Sequence, residues 1–211
     1  MSPIPRSRYW CFGLVAGGGL AWDLISKAWV FSELGYPQRS SDWSREWPFL
    51  WGHVSIQLTT WFNQGALFGI GQGLSWLFAA LSIVAAVGIV YWLFVKGEAR
   101  SVWLTVTLGL IVAGALGNLY DRLYLHGCVD PVSGAPLYGV RDFFQCDIPL
   151  IGYEWPLHFY LIPRYHWPVF NFADIFLVTG AIMLSLYSLW APQPQKQGNE
   201  AATPALTASV G

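Results

Sequence analysis

Charged side chains are scarce in this chain: Asp, Glu, Lys and Arg make up 11% of its 211 residues, against about 25% in soluble domains. Hydrophobic residues reach 55% and mean hydropathy is +0.43. That excludes an ordinary soluble domain and points to a membrane protein. Positive charge is not in surplus either. The formal net charge is −1, which removes the basic footprint expected of a nucleic-acid binder. Cysteine is limited to Cys11, Cys128 and Cys146. Without a C-x-x-C or a paired Cys/His spacing, no zinc site is expected. His53, His126, His158 and His166 are scattered and read as interfacial or loop residues. G-x-S-x-G, G-x-x-x-x-G-K and H-E-x-x-H are all absent, so a nucleophile elbow, a P-loop and a zincin helix drop out.

What the chain does contain is long apolar runs. About 20 apolar residues cross the hydrocarbon core as a helix, and four stretches qualify: 9–31, 74–95, 102–120 and 169–190. The first follows Arg6 and Arg8, as a secretory signal would. It is too long for a signal h-region, however, holds Asp23 and Lys27, and lacks a small-x-small cleavage site, so it reads as a retained span. The fold expected is mostly α and integral to the membrane. Four transmembrane helices, residues 1–191, form a single domain with outer loops at about 32–73 and 121–168, and 192–211 form a polar, disordered cytoplasmic tail. Short Lys- and Arg-containing segments tend to stay in the cytoplasm. Arg6, Arg8, Lys96, Arg100 and Lys196 lie compactly on the terminal side, while Arg39, Arg45, Arg122, Arg141 and Arg164 spread over two long loops. The termini are therefore expected inside.

Polar residues within these runs share one depth. Asp23 and Lys27 close the first run; Asn63 and Gly65, in "FNQGALFG", precede the second. Gly114, Asn118, Asp121 and Arg122 end the third, and Asn171 and Asp174 open the fourth. Alternate spans reverse direction, so all of these fall at the same end of a bundle. Ionisable groups inside a membrane are costly and mark function. Asp23 and Lys27, at i,i+4, could pair. "GVRDFF" adds Asp142 at the same level, with Phe143 and Phe144 expected to anchor a turn at the interface. Two carboxylates sharing a site cannot both ionise easily. Asp142 and Asp174 together could activate a water against a peptide carbonyl. A Ser26–Lys27 dyad fits less well, because adjacent helical residues do not face each other. Competing readings are a small ion- or proton-coupled transporter and a structural subunit of a membrane complex. A transporter would place its charges near mid-membrane, often within inverted repeats; no repeat is evident here.

The blocks "DLISK" (23–27), "NQGALFG" (63–69), "GALGNLYDR" (114–122), "VRDFF" (140–144) and "WPVFNFAD" (167–174) resemble, in order, those of the bacterial lipoprotein signal peptidases, or signal peptidase II. The resemblance implies an aspartic endopeptidase of the inner membrane, its active site facing outward. It would remove signal peptides from diacylglyceryl-modified prolipoproteins, cutting before the lipidated cysteine. It makes Asp142 and Asp174 the catalytic pair and carries the family's polar positions onto Asp23, Lys27, Asn63, Gly65, Gly117, Asn118, Asp121, Arg122 and Asn171. Asn118, Arg122 and Asn171 would orient the pair and the scissile peptide, Asn63 and Gly65 would support it, and Asp23, Lys27 and Asp121 would hold the fold. It also implies a small extracytoplasmic β-sheet over the site, for which "HVSIQLTTWF" supplies one or two short strands. No cofactor or metal is implied; the partners are prolipoproteins and membrane lipids, and the chain is expected to act as a monomer. Two loops, 123–139 and 145–166, are long for the family, and "CVDPV" makes Asp130 a rival to Asp142. Pro131 and the lack of a following aromatic favour Asp142. Cys128 and Cys146 flank the Asp142 block. A disulfide between them would stabilise the loop by about 3 kcal/mol. Two free thiols are the alternative, and the sequence leaves both open.

Overall fold

A computed structural model describes residues 3–49, 52–65, 71, 73–148, 152–153, 159–160 and 165–190. The expected tail, 192–211, lies outside the described residues, as does most of the 145–166 loop. Four long helices follow the four apolar runs. α1 (Arg6–Leu34) starts after Pro5 and stops at Gly35, whose φ of 71° ends the helix in the left-handed region that glycine tolerates. α2 (Ser75–Val90) continues into a π-helical turn, Tyr91–Val95. α3 (Val102–Arg122) is capped by Ser101, whose hydroxyl accepts from the Leu104 amide. α4 (Phe172–Trp190) follows Asn171 directly. Three described helices are long and apolar enough to cross a membrane: Ser75–Val95, Val102–Arg122 and Phe172–Trp190. α1 is longer than any of them but is not in that group, because it mixes Asp23, Lys27, serines and glycines into its apolar sequence.

α3 is the central helix and packs against the other three. Leu104, Leu108, Val112, Ala113, Ala115 and Leu119 are buried on it. The other helices present large apolar side chains outward: Trp10 is 75% exposed, Val84 69% and Leu189 77%. A water-soluble protein would hide such a surface, whereas lipid solvates it. Small residues let the helices approach closely. A Cβ on Gly114 would collide with the Ala173 carbonyl oxygen of α4, and one on Gly117 with Asp23 Oδ2 of α1. Gly117→Ala is therefore expected to displace the Asp23 carboxylate and lower stability by about 1–3 kcal/mol. Thermal unfolding in detergent measures this, and an unchanged midpoint contradicts the close packing.

Over one end of the bundle lies an antiparallel sheet of order β1-β2-β3-β6. β1 (Ser40–Phe49) and β2 (Gly52–Asn63) form a hairpin in which Trp47 pairs with Val54. β3 (Val140–Ile148) lies between β2 and β6 (Tyr165–Phe170), and a minor pair, β4 (Gly152–Tyr153) and β5 (Phe159–Tyr160), stands apart. The "VRDFF" block is thus a strand and not a turn. Phe143 is only 1% exposed and packs with Val30 and Phe31 of α1. It joins sheet to bundle.

Candidate active site

Two elements, β3 and α4, aim carboxyl groups at one place. Asn171 caps α4: its Oδ1 accepts from the Asp174 amide at 3.1 Å, while Asp174 Oδ2 accepts from the Asn171 amide at 3.2 Å. This reciprocal pair satisfies N-terminal amides that would otherwise be orphaned inside an apolar protein. The helix N-terminus also favours a negative group. An acidic residue at the start of an apolar helix is accounted for by these two effects. Asp174 Oδ1 accepts from Asn118 Nδ2 of α3 at 2.9 Å. On β3, Asp142 is buried; its Oδ1 accepts from Asn171 Nδ2 at 2.6 Å and its Oδ2 from Asn63 Nδ2 at 3.0 Å. The Gly65 amide donates to Asn63 Oδ1 at 3.0 Å, which leaves the Asn63 amino group turned toward Asp142. Asn171 therefore touches both carboxyl-bearing segments. Burial, and then the nearby Asp174 charge, hold the Asp142 carboxyl well above the usual carboxylate range.

Beneath this pair lies a buried ion cluster. Lys27 Nζ meets Asp23 Oδ2 at 2.7 Å, Asp121 Oδ2 at 3.0 Å and Asn118 Oδ1 at 3.1 Å, which occupies its three protons. Asp121 Oδ1 accepts from Arg141 Nε at 2.9 Å. Asp23 Oδ1 accepts from the Ala173 amide at 2.9 Å, a second N-terminal amide of α4. Within this cluster Asp23 and Asp121 are matched by Lys27 and Arg141, so Asp142 and Asp174 stand outside it.

A groove of about 330 Å³ opens onto both carboxyls. Its rim holds Asn63, Asn118, Arg122, Asp142 and Asp174, and its floor, between α2, α3 and α4, holds Phe78, Leu81, Ala85, Ile111, Ala115 and Leu177. The Arg122 guanidinium lies 5.4 Å over the Phe78 ring and, among the described residues, has no hydrogen-bond partner. A second groove, about 580 Å³, is lined by residues such as Trp22, Trp29, Trp43 and Phe144 and by no titratable side chain. It offers no chemistry of its own. Among the described residues, no group of three or more His, Cys, Asp or Glu is set to hold a metal ion.

The family model described as signal peptidase (SPase) II matches residues 10–190. The chain belongs to the signal peptidase II family. Among curated relatives, the lipoprotein signal peptidase of Rhodopirellula baltica is 40% identical over 93% of this chain and 81% of its own length. That of Pseudomonas aeruginosa is 32% identical over 78% and 79%. A bacterial membrane enzyme solved by the in meso method at 1.9 Å shares the fold at TM-score 0.56 and 25% identity, covering 86% of this chain and 94% of that one. A second such structure, at 2.3 Å, gives TM-score 0.57 at 23% identity over 92% and 93%.

Within this signal peptidase II chain, the polar residues expected from sequence converge on one network: Asp23, Lys27, Asn63, Gly65, Asn118, Asp121, Asp142, Asn171 and Asp174 are joined by the bonds given above. Gly117 serves as the slot for Asp23. Asp121 and Arg122 diverge, the first toward Lys27 and Arg141, the second toward the groove. Asp130, the rival aspartate, closes its own turn by accepting from the Val132 and Ser133 amides and the Ser133 hydroxyl; these bonds hold its carboxyl below the usual range. The Ser26 hydroxyl donates to the Asp23 carbonyl, so no Ser–Lys dyad forms. Cys128 and Cys146 are free thiols. Burial raises both above the usual thiol value, which lowers their reactivity. One participant was not singled out from sequence: Arg141, buried against Asp121. An arginine beside a candidate aspartate, in a chain with so few charges, was the available signal.

Proposed function

We propose that this protein is the membrane aspartic endopeptidase that removes signal peptides from prolipoproteins, with Asp142 and Asp174 as its catalytic pair. The observation that carries the reading is the sharing of Asn171 between the two carboxyl-bearing segments at the mouth of a groove with an apolar floor. The buried, proton-retaining Asp142 is suited to be the acid and Asp174 the base. A water between them gives one proton to Asp174 as its oxygen attacks the scissile carbonyl carbon. Asp142 protonates the carbonyl oxygen. Collapse of the tetrahedral intermediate breaks the C–N bond: the proton taken by Asp174 passes to the leaving amine, and a diol hydroxyl returns its proton to Asp142, leaving the new carboxyl group. The groove's floor suits the apolar segment of a signal peptide, and its polar rim meets the cleavage point. A diacylglyceryl-modified cysteine just after that point would keep its acyl chains in lipid.

The same reading has four spans, residues 1–191 acting as one domain in the bacterial inner membrane, with the sheet and site on the outer side and 192–211 as a cytoplasmic tail. α1 has 29 residues, about 43 Å at 1.5 Å per residue, ample for a bilayer. Its acidic and basic side chains near the outer end are mutually paired, which offsets their cost in lipid. Exposed Trp10, Trp92, Trp103 and Trp190 sit at one set of helix ends and Trp29 and Trp76 at the other, as two aromatic belts would. Arg141 is buried in an ion pair, so positive charge free to bias orientation favours the side of the termini. A transporter reading lacks support, since the charges cluster at one end.

Purified protein given a fluorogenic diacylglyceryl-peptide tests the reading. Turnover is expected; an inert, folded protein would sink it. Arg122→Ala should lower kcat/KM by roughly tenfold or more, because a rim guanidinium without a hydrogen-bond partner among the described residues is placed to bind substrate carbonyls. Unchanged kinetics would return Arg122 to packing on Phe78.

A further inference from the structure

We infer that Arg141 is a positioning residue for Asp142, acting through Asp121. The inference rests on the catalytic reading above. Successive strand residues point to opposite faces. On β3, Asp142 reaches Asn63 and Asn171, while the neighbouring Arg141 side chain, 5% exposed, turns to α3 and α1. There it makes a two-point clasp. Its backbone amide donates to Asp121 Oδ2 at 3.0 Å and its Nε to Asp121 Oδ1 at 2.9 Å. One residue thus engages both oxygens of one carboxylate, which fixes its rotation as well as its position. The Asp121 carboxylate is itself held by Lys27, so the clasp ties β3 to the rigid end of the bundle.

The ladder around Asp142 cannot supply that fixation alone. Pairing of β2 with β3 shifts register between Leu58 and Trp61, immediately beside the Trp61–Asp142 pair. Pairing of β3 with β6 shifts again between Phe144 and Cys146. Bulges interrupt ladder bonds and re-aim side chains. Asp142 therefore sits on a strand irregular on both edges, one residue from the clasp. The Arg141 carbonyl also accepts from Asn171 Nδ2 at 3.4 Å, the same amino group that bonds Asp142 Oδ1. A shift of residue 141 would move the Asn171 amide and the Asp142 carboxyl together. The guanidinium plane lies 5.9 Å over the Phe31 ring, a contact that an ammonium of different shape and reach does not reproduce.

The test uses full-length wild type, Arg141→Lys and Arg141→Gln, purified in detergent and assayed with the fluorogenic diacylglyceryl-peptide. Arg141→Lys keeps the charge against Asp121 and is expected to fold with a thermal midpoint close to wild type. Its kcat should fall about tenfold with KM within about twofold, since small misplacements of a catalytic group act on turnover. Arg141→Gln should lose about a hundredfold where it folds. A Lys variant with wild-type kcat, a loss expressed mainly in KM, or a Lys variant that unfolds would each overturn the inference, the last by making Arg141 a stability residue. An inert wild type would defeat the catalytic reading instead. Hydrogen exchange would then decide for Arg141: faster exchange confined to 140–144 in Arg141→Lys is expected, and wild-type protection there contradicts it.

Discussion

Asp142→Asn and Asp174→Asn should each reduce cleavage by about 10³-fold or more while leaving a folded protein. On the proposed mechanism, either change removes one member of a pair that needs an acid and a base together. Asn at 142 can keep one of the two bonds that Asp142 accepts, from Asn171 or Asn63, so its cost to stability should stay near 1 kcal/mol. Asp130→Asn, in the self-contained turn, should retain full activity. The pH dependence of stability should also change in a defined direction. Folded Asp142 binds its proton more tightly than an ordinary carboxylate. Its contribution is therefore complete below the unfolded carboxylate range and declines as pH rises through the elevated folded value. Asp142→Asn should flatten that decline, measured as thermal midpoint against pH from mildly acidic to alkaline. A slope equal to wild type would mean that Asp142 is not the group held protonated.

Lys27→Met should be the most damaging single change to stability. Lys27 is fully buried and its ammonium is bonded to Asp23, Asp121 and Asn118. Methionine fills similar space and isolates the electrostatic loss. Asp121 would then keep Arg141 and Asp23 only the Ala173 amide, and leaving a buried charge uncompensated costs about 3–5 kcal/mol. Because Asn118 Oδ1 also loses its lysine donor, the Asn118 bond to Asp174 should loosen. Asp23→Asn in the Lys27→Met background removes one stranded charge and should recover part of the loss. Thermal unfolding of the two variants measures this; a double variant no more stable than the single would show that packing and not charge governs the site.

The sequence carried the helices well, because each is an apolar run bounded by polar or glycine positions. It also carried the convergence of Asp23, Asn118, Asp142 and Asp174, since in an apolar chain each polar residue is conspicuous. It carried the sheet poorly. β1 contains Ser, Asp, Arg, Glu and Pro, a composition typical of loops; its order comes from pairing with β2, a tertiary effect. "VRDFF" reads as a turn from sequence and is a strand in the structure, because two aromatics beside a polar residue suit either a membrane-surface turn or a strand packed on a helix. Spacing alone cannot tell them apart. From sequence Arg141 reads only as a loop charge, since its partner, Asp121, is twenty positions away. α1 follows the apolar run 9–31, yet it is not among the three described helices apolar enough to cross a membrane, because Asp23 and Lys27 interrupt that run.

The most direct measurement of the central claim is mass spectrometry of the products formed from a synthetic diacylglyceryl-cysteine prolipoprotein peptide in heavy-oxygen water. Wild type and the two Asn variants are compared at equal concentration. Direct attack by water held between Asp142 and Asp174 predicts one cut, just before the lipidated cysteine. One heavy oxygen should appear in the new carboxylate of the released signal peptide, with no covalently modified protein and no product from Asp142→Asn or Asp174→Asn. Cleavage at another bond, an acyl-protein intermediate, or a normal yield from either variant would contradict the account.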